Sequence, residues 1–542
     1  MNKFYTLLFS CLIGSQFASA QDYSNYSTLT SRAQQLEKKY PSLVKVKSLT
    51  KTLGGKDIWM LSIGTGNLTE KPAVAVVGGV EGSHLLGVEL AIGFAEKLLA
   101  QSATDSVKNL LNQQTYYVFP NLSPDATEQY FAKLKYARSG NAKSTDDDRD
   151  GVFNEDGFED LNGDGKITMM RIEHPTGEWI ASPDDERIMI KAELTKGQKG
   201  KYLLLSEGTD NDKDGVFNED GEGGVAFNKN MSYNYPNFVA GSGEHMVSEL
   251  ENRALLDFLF EAYNVYAVLT FGPQNNLSNP VSFNKAGTSK RIISSWYEED
   301  VKVNDLVSKT YNKIVKAKNA PVSKATEGNF ADWAYFHYGR FSFSTPGWWL
   351  PETKPDTAKK QKAFAEKNDE TAYLRWAEKE NISGTFSTWA AVKHPDFPDA
   401  KVEVGGLDPF VLLNPPYKMV DNLVTEHTNF VMALSKMVPT VAPMNVKTEK
   451  LEGGLTRISL DVVNNGAFAT QTKVGEKSNW VKNIHVKLET SGKVLSGRAN
   501  QTIGAIAGYG KESLSWLISG SGKVTITIAS PSNGQKTVSI NL

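Results

Sequence analysis

Apolar positions recur every three to four residues over Tyr23–Tyr40 and again over Leu85–Leu99, the spacing of helices with one buried face; Pro41 closes the first. Between them, Val44–Ser48 and Ile58–Ile63 alternate apolar and polar residues around Gly54-Gly55, as half-exposed strands do. Val74–Gly78 and Thr115–Phe119 are instead unbroken β-branched and aromatic runs, the pattern of strands buried on both faces. Leu250–Ala262 returns to the helical period, and Ala267–Phe271 is a further buried strand. Strands alternating with helices predict an α/β fold, a mixed sheet with helices on both faces.

Two stretches break this rhythm. From about Ser139 to Gly224 the chain turns rich in Asp, Asn and Gly and loses its apolar period, which reads as an insertion. Beyond Met437, Pro439 and Pro443 punctuate a linker, after which Thr456–Val463, Trp480–Glu489, Ser513–Ile518 and Lys523–Ile528 read as strands. Short strands separated by Gly, Asn and Ser turns, with no convincing helix, predict a C-terminal all-β sandwich. The expected division is therefore a signal segment at 1–20, a main domain at 21–437 and an accessory sandwich at 438–542.

A chain of 542 residues is too long for one ordinary core, which agrees with that division. Hydrophobic residues make up 40% and charged residues 22%, and the net charge of −3 offers no general attraction to nucleic acid. Met1–Ala20 has the form of a secretory signal: Lys3, the apolar run Phe4–Ile13, then Ala18-Ser19-Ala20. Export to the periplasm or the extracellular space is expected. Cys11 is the 1 cysteine of the chain and lies inside this segment, so disulfides and thiol chemistry are not expected in the exported protein. No later run is apolar and long enough for a transmembrane segment.

The insertion carries an internal repeat. Asp148-Arg149-Asp150-Gly151-Val152-Phe153-Asn154-Glu155-Asp156-Gly157 returns as Asp212-Lys213-Asp214-Gly215-Val216-Phe217-Asn218-Glu219-Asp220-Gly221. A third loop carries Asp160, Asn162 and Asp164 at the same alternate spacing before Gly165. Alternate oxygen-bearing side chains with a glycine at the sharp turn suit a hard cation, and calcium is the expected cofactor of Asp148, Asp150, Asp156, Asp160, Asn162, Asp164, Asp212, Asp214 and Asp220. These are not complete EF-hand loops. The closing bidentate glutamate is replaced by Gly157, Arg171 and Gly221.

The second candidate for chemistry is the turn after the first buried strand, Val74–Leu90, where Glu81 and His84 sit between two glycines and a helix. Open α/β sheets take their ligands at the carboxyl ends of strands. Together with Leu53–Ile63, Phe119–Asp125, Asn228-Lys229-Asn230, Ser248-Glu249-Leu250-Glu251 and Val402–Gly406, this stretch resembles the M14 zinc carboxypeptidases, in the bacterial branch with acidic insertions and a C-terminal sandwich. The resemblance implies three zinc ligands, a glutamate that activates water, and an asparagine and arginine for the terminal carboxylate of a peptide.

Placed on that pattern, Glu81 stands where the first ligand histidine belongs and His84 where the ligand glutamate belongs. Gly272 or Pro273 stands for the third ligand, and Pro346, or Gly347 one residue on, for the catalytic glutamate. Asn228 is kept, and Lys229 replaces the arginine, retaining the charge but not the bidentate fork. None of His174, His245, His337, His394, His427 and His485 has ligand spacing to the Glu81–His84 pair.

Three readings follow. The chain is a degenerate carboxypeptidase that binds the C-terminus of a peptide or protein without hydrolysing it, or an active zinc metallocarboxypeptidase with a rearranged site. Otherwise it is a calcium-stabilised surface or adhesion module, binding through its sandwich and aromatics such as Trp348 and Trp349.

Overall fold

A computed structural model describes residues 22–146, 151–218, 221, 223–316, 318–323, 326–351 and 369–542. The signal segment Met1–Ala20 and the loop residues Asp148, Asp150 and Asp220 lie outside the described residues.

The chain begins with α1 (Tyr26–Lys39), β1 (Val44–Lys51), β2 (Asp57–Ile63), β3 (Ala73–Val77), α2 (Leu85–Ala100), α3 (Asp105–Gln113), β4 (Thr115–Phe119) and α4 (Pro124–Thr127). The acidic stretch adds β5 (Met169–Glu173), β6 (Trp179–Ala181), β7 (Met189–Lys191) and β8 (Tyr202–Ser206). Then come α5 (Leu250–Glu261), β9 (Val265–Phe271), α6 (Lys285–Thr288), α7 (Glu298–Val315), α8 (Phe330–Phe336) and β10 (Phe341–Thr345). The main domain ends with α9 (Asp369–Lys379), β11 (Phe386–Val392), β12 (Val402–Leu407) and α10 (Val420–Ser435).

The first sheet has the order β1-β2-β4-β3-β9-β10. β4, β3, β9 and β10 run parallel, while β2 pairs antiparallel with both β1 and β4, so the sheet is mixed. Alternation along β3 explains why both faces are covered. Val74 and Val76 join a core with α1, α2 and α10, whereas Ala73, Ala75 and Val77 join one with α5 and α8. A strand that must be apolar at every position can only be a central one, and β3 lies between β4 and β9.

The insertion differs from its expectation as a set of loops with little core. β5 to β8 join β11 and β12 in a second sheet of order β11-β12-β5-β8-β6-β7. Met170 and Ile172 of β5 bury against Val402 and Val404 of β12, with Leu203, Leu205, Phe217 and Phe397 packed around them. On the opposite face Arg171 pairs with Glu403 and lies over the rings of Trp389 and Tyr202.

The C-terminal sandwich comprises β13 (Val441–Leu451), β14 (Leu455–Asn464), the short α11 (Lys473–Ser478), β15 (Ile484–Thr490), β16 (Lys493–Ser496), β17 (Asn500–Ile503), β18 (Lys511–Ser519), β19 (Lys523–Ser530) and β20 (Gly534–Asn541). Two four-stranded antiparallel sheets, β13-β14-β18-β16 and β17-β15-β19-β20, enclose Ile458, Val486, Trp516 and Ile526. The helix α11, not expected from the sequence, docks the sandwich: the buried Asp300 of α7 accepts hydrogen bonds from Lys473 N and from the Tyr335 hydroxyl. No helix among the described residues is long and apolar enough to cross a membrane.

Trp348 and Trp349, exposed in the surface-module reading but equally well explained by packing, are buried. Trp348 packs on Trp376, and Trp349 donates its indole N–H to Lys318 O.

Candidate functional site

The turn after β3 delivers Glu81 and His84 to the carboxyl end of the sheet, where β9 ends at Phe271 and β10 at Thr345. His84 is the N-cap residue of α2, and its backbone N–H donates to Glu81 O at 3.1 Å. Its ring is 2% exposed and its Nε2 lies 3.0 Å from the carbonyl oxygen of Pro346. A carbonyl only accepts, so Nε2 carries the proton and Nδ1 the lone pair. That Nδ1 has no partner and lies against Gly87, where a Cβ would stand 3.0 Å from it. Burial pulls the His84 pKa down to about 4, so the ring is neutral.

Glu81 is half-buried, and its carboxyl accepts no hydrogen bond from the described residues. Burial pushes its pKa up to about 7, against the pull of the Lys229 ammonium in the opposite direction.

The remaining positions of the pattern have closed. A Cβ on Gly272 would lie 2.6 Å from Val80 Cγ2, so the space a third ligand side chain needs is filled by valine. Gly347 has φ of +75°, and a Cβ there would lie 2.3 Å from Leu90 Cδ1. Pro346 contributes its carbonyl to His84 instead of a carboxylate to the cleft.

Zinc, which the family pattern implies, needs more donors than this turn supplies. His84 keeps a free Nδ1, which lies against Gly87, and none of Gly272, Pro273 and Pro346 offers a donor side chain, so the turn supplies Glu81 and His84 and no third ligand among these positions. Among the described residues, the group of His, Cys, Asp and Glu side chains close enough to share a metal is Asp210, Asp212 and Asp214, remote in sequence from this turn. The residues present do not fit a catalytic zinc, which needs three protein ligands and an open position.

Of the expected pair for a terminal carboxylate, Asn228 is buried and already engaged. Its Oδ1 accepts from Phe330 N at 3.0 Å, and its Nδ2 donates to Gln274 Oε1 at 3.4 Å. Lys229 is exposed, with Nζ 3.3 Å from Ala240 O, and keeps donors for an incoming anion. None of the other histidines reaches the cleft. His337 hydrogen-bonds Ser232 Oγ, His394 meets Gly208 O, and His427 meets Tyr311 OH and Leu423 O in the core. His174 and His245 make only local bonds at the surface, and His485 lies in β15.

In the acidic loops, Asp212 and Asp214 come together with Asp210, which the repeat as read from Asp148 and Asp212 does not include. The D-x-D-x-D-G spacing, started one alternate position earlier, contains it. Asp156 is fully buried, and its two oxygens take the backbone N–H groups of Asn211 and Asn218, so it is a strut between the two repeats. Asp160, Asn162 and Asp164 fold back on their own loop: Asp160 accepts from the N–H of Gly163, Asp164 and Gly165, and Asn162 accepts from Asp164 N. Asp164 itself accepts from Lys166 N and from Ser387 Oγ.

Comparison with known proteins bears on this site. A family model described as zinc carboxypeptidase matches residues 29–348, and a domain of unknown function matches residues 440–541. Carboxypeptidase D of Rattus norvegicus is 28% identical over 138 residues, covering 24% of this chain and 10% of its own. A zinc carboxypeptidase of Saccharothrix mutabilis subsp. capreolus is 25% identical over 109 residues, 20% of this chain and 25% of its own length. The chain thus matches a quarter or less of those relatives. Among solved structures, carboxypeptidase A of Helicoverpa armigera aligns with TM-score 0.40 and 13% identity over 76% of this chain and 73% of its own. A metallo-carboxypeptidase of Burkholderia cenocepacia aligns with TM-score 0.30 and 10% identity over 59% of each chain.

Proposed function

This chain belongs to the zinc carboxypeptidase family, and from that premise we propose that it is a member that holds the C-terminal end of a peptide in its cleft without hydrolysing it. The observation that carries this reading is the replacement of the third ligand and of the water-activating carboxylate by Gly272 and by Pro346-Gly347, with no room at either glycine for a side chain. Hydrolysis needs a metal-bound or base-activated water, and neither group has a side chain to make one. Lys229 supplies a positive charge at the cleft for the carboxylate, as a point charge instead of a fork.

Titration of the full chain with one peptide in free-acid and C-terminally amidated forms tests the reading. Binding of the free acid, at least about tenfold weaker for the amide and for Lys229→Ala, is expected from the loss of one charge-assisted contact. Equal binding of both forms would remove the carboxylate from the site. Release of the terminal residue, sensitive to chelators, would replace this reading with that of an active peptidase.

Calcium in the acidic loops is a second proposal, with a structural role. It is favoured by the approach of the Asp210, Asp212 and Asp214 carboxylates to within 4.8 Å of one another, a repulsive arrangement that a divalent ion relieves. Export through the segment Met1–Ala20 completes the proposal.

A further inference from the structure

Asn141 stands where the acidic insertion leaves the main domain, and Val225 where it returns. Asn141 N donates to Val225 O and Val225 N to Asn141 Oδ1, each at 3.0 Å, beside a single bridge between Gly140 and Ala226. The two chains run so close that a Cβ on Gly140 would lie 1.6 Å from Gly223 O. Asn141 Oδ1 also accepts from Lys143 N, which fixes the orientation of the amide and turns Nδ2 the other way. That Nδ2 donates to Glu249 Oε2 at 2.7 Å and to Glu251 Oε1 at 2.8 Å, the N-cap and the second residue of α5. One amide thus ties the stem of the insertion to the start of a helix through two carboxyl groups.

Both carboxyl groups are out of solvent, with Glu249 4% and Glu251 3% exposed. Their surroundings differ. Glu249 Oε1 takes the Ser248 hydroxyl at 2.6 Å and has Lys143 Nζ at 3.7 Å. Glu251 has no cation paired with it among the described residues, and its Oε2 is buried without a hydrogen-bond partner. The other charges nearby are already matched. Lys56 Nζ lies 3.1 Å from the buried Asp125, Lys143 Nζ lies 2.9 Å from Glu244, and Arg138 donates to the carbonyls of Gly140 and Asn141. Arg253, on the same helix, is exposed. A buried carboxylate with a bare oxygen and two carboxyl neighbours sheds its charge by taking a proton. Burial, with Glu249 and Asp125 adding repulsion, raises the Glu251 carboxyl above its ordinary value, against the pull of the Asn141 hydrogen bond.

We propose that Glu251 carries a proton in the native protein, and that this proton latches the stem of the insertion, with the turn bearing Lys229, onto α5. The turn is reached from the same pair. Ser248 Oγ, bonded to Glu249, accepts from Asn230 Nδ2 at 3.1 Å, and Asn252 Nδ2, next to Glu251, donates to Phe227 O at 3.0 Å. Lys229 N in turn donates to Ala226 O. With the proton in place, Asn141 bridges one acid and one carboxylate. Without it, two carboxylates face each other across a single amide, and of the two only Glu249 has a cation in reach among the described residues. Once the stem opens, Glu251 is solvated and returns toward about 4.3, so the latched state holds the proton more tightly than the open one. The latch is therefore whole in acid and weakens as pH rises through the native value of Glu251. It stands by itself; its effect on ligand affinity rests on the reading of the cleft as a peptide site.

The test uses the full chain unaltered, as Glu251→Gln and as Glu249→Gln. Infrared difference spectra of the unaltered chain against Glu251→Gln at about pH 5 should show the band of one buried protonated carboxyl, which fades as the pH is taken to about 8.5. Hydrogen exchange of residues 139–143 and 224–230, corrected for its intrinsic dependence on pH, should quicken at least about tenfold over that range in the unaltered chain and stay flat in Glu251→Gln. Affinity for the free-acid peptide should fall at least about threefold relative to Glu251→Gln over the same range, a comparison that cancels the titration of Glu81. If Glu251→Gln does not fold, Glu249→Gln decides: with the neighbouring charge gone, the carboxyl band should fade at a lower pH than in the unaltered chain. A stem that responds in this way in a chain that binds no peptide would support the latch and remove the peptide reading. No protonated-carboxyl band at any pH, or a stem that opens alike in the unaltered chain and in Glu251→Gln, would overturn the latch.

Discussion

His84 Nε2 and the Pro346 carbonyl oxygen, 3.0 Å apart, join the turn after β3 to the end of β10. Since β9 lies between those two strands, the bond spans the end of β9, where Gly272 stands. An imidazole at a place where the family puts a ligand has become the donor that ties the floor of the site together. The bond fixes the tautomer and leaves Nδ1 with the free lone pair, but that nitrogen lies against Gly87, and Glu81 and His84 together stay one protein ligand short of the three a catalytic zinc needs.

That role predicts a stability signature. Replacing His84 by Ala leaves the Pro346 carbonyl unpaired and a cavity behind it, a loss of about 1–3 kcal/mol at pH 7, with no change in metal content. His84 and His427 are both pulled down to about 4 by burial. Between about 4 and the unfolded value near 6.5, the unfolded chain takes up protons that the native one refuses, so stability falls on acidification through that window. Glu81, pushed up to about 7, and Asp300, pushed up to about 6, work in reverse. The native state holds their protons more tightly, so their contribution declines as pH rises from about 4 to 7. Urea midpoints from pH 4 to 8 should therefore show a flatter acid limb for His84→Ala and a flatter neutral limb for Glu81→Gln. An acid limb unchanged in His84→Ala would mean that the ring is not buried neutral.

Restoring the family residues should not restore the site. Gly272→His places a Cβ 2.6 Å from Val80 Cγ2, and Gly347→Glu places one 2.3 Å from Leu90 Cδ1 at a φ of +75°. Overpacking and left-handed strain each cost about 1–3 kcal/mol, so both variants should melt earlier and still bind no stoichiometric zinc. Elemental analysis after dialysis against zinc reads this directly. One zinc per chain in Gly272→His would show that Val80 yields and that the ligand position is merely empty of its side chain.

The parts legible in the sequence were those whose burial repeats locally. β4 occupies Thr115–Phe119 as expected, because five consecutive buried residues advertise a central strand without reference to anything distant. The second sheet was illegible for the opposite reason. The three strands β6, β7 and β5 offer three to five residues each, and the Val402 and Val404 that bury Met170 and Ile172 come from far along the chain. α11, with 6 residues, is too short for a helical period to show. At the site, the replacements Gly272 or Pro273 and Pro346 or Gly347 could be placed through the family resemblance, but not that Val80 and Leu90 fill the space, nor that His84 turns to a carbonyl. Those are statements about packing, which no spacing encodes.

The acidic loops predict a metal dependence separate from the cleft. Among the described residues, Asp210, Asp212 and Asp214 accept hydrogen bonds from Gly215, Asp214 and Val216 of their own loop, and a bound cation would offset their mutual repulsion. Calcium at 1 mM should raise Tm by about 2 °C or more over the chelated protein, and Asp212→Ala should remove most of that rise. Peptide binding at saturating calcium should be unaffected by Asp212→Ala. A Tm indifferent to both calcium and chelator would reduce the loops to solvated turns.

Asp300 makes the last prediction, about how the two domains hold together. Its carboxylate, 2% exposed, takes Lys473 N at 2.9 Å and the Tyr335 hydroxyl at 2.7 Å, and Thr472 Oγ1 adds a bond to Gly339 O at 2.8 Å. Asp300→Ala strands a buried hydroxyl and a backbone N–H, a loss of about 2–4 kcal/mol concentrated at α11. The sandwich has a separate core, with Ile458, Val486, Trp516 and Ile526 enclosed by its own sheets, so it need not unfold with the contact. Hydrogen exchange in Asp300→Ala should quicken across residues 472–478 while β14, β15, β18 and β19 keep their protection, because the break lies between the cores and not within either one. Equal loss of protection in both would instead make the two domains a single cooperative unit, with α11 as part of its core.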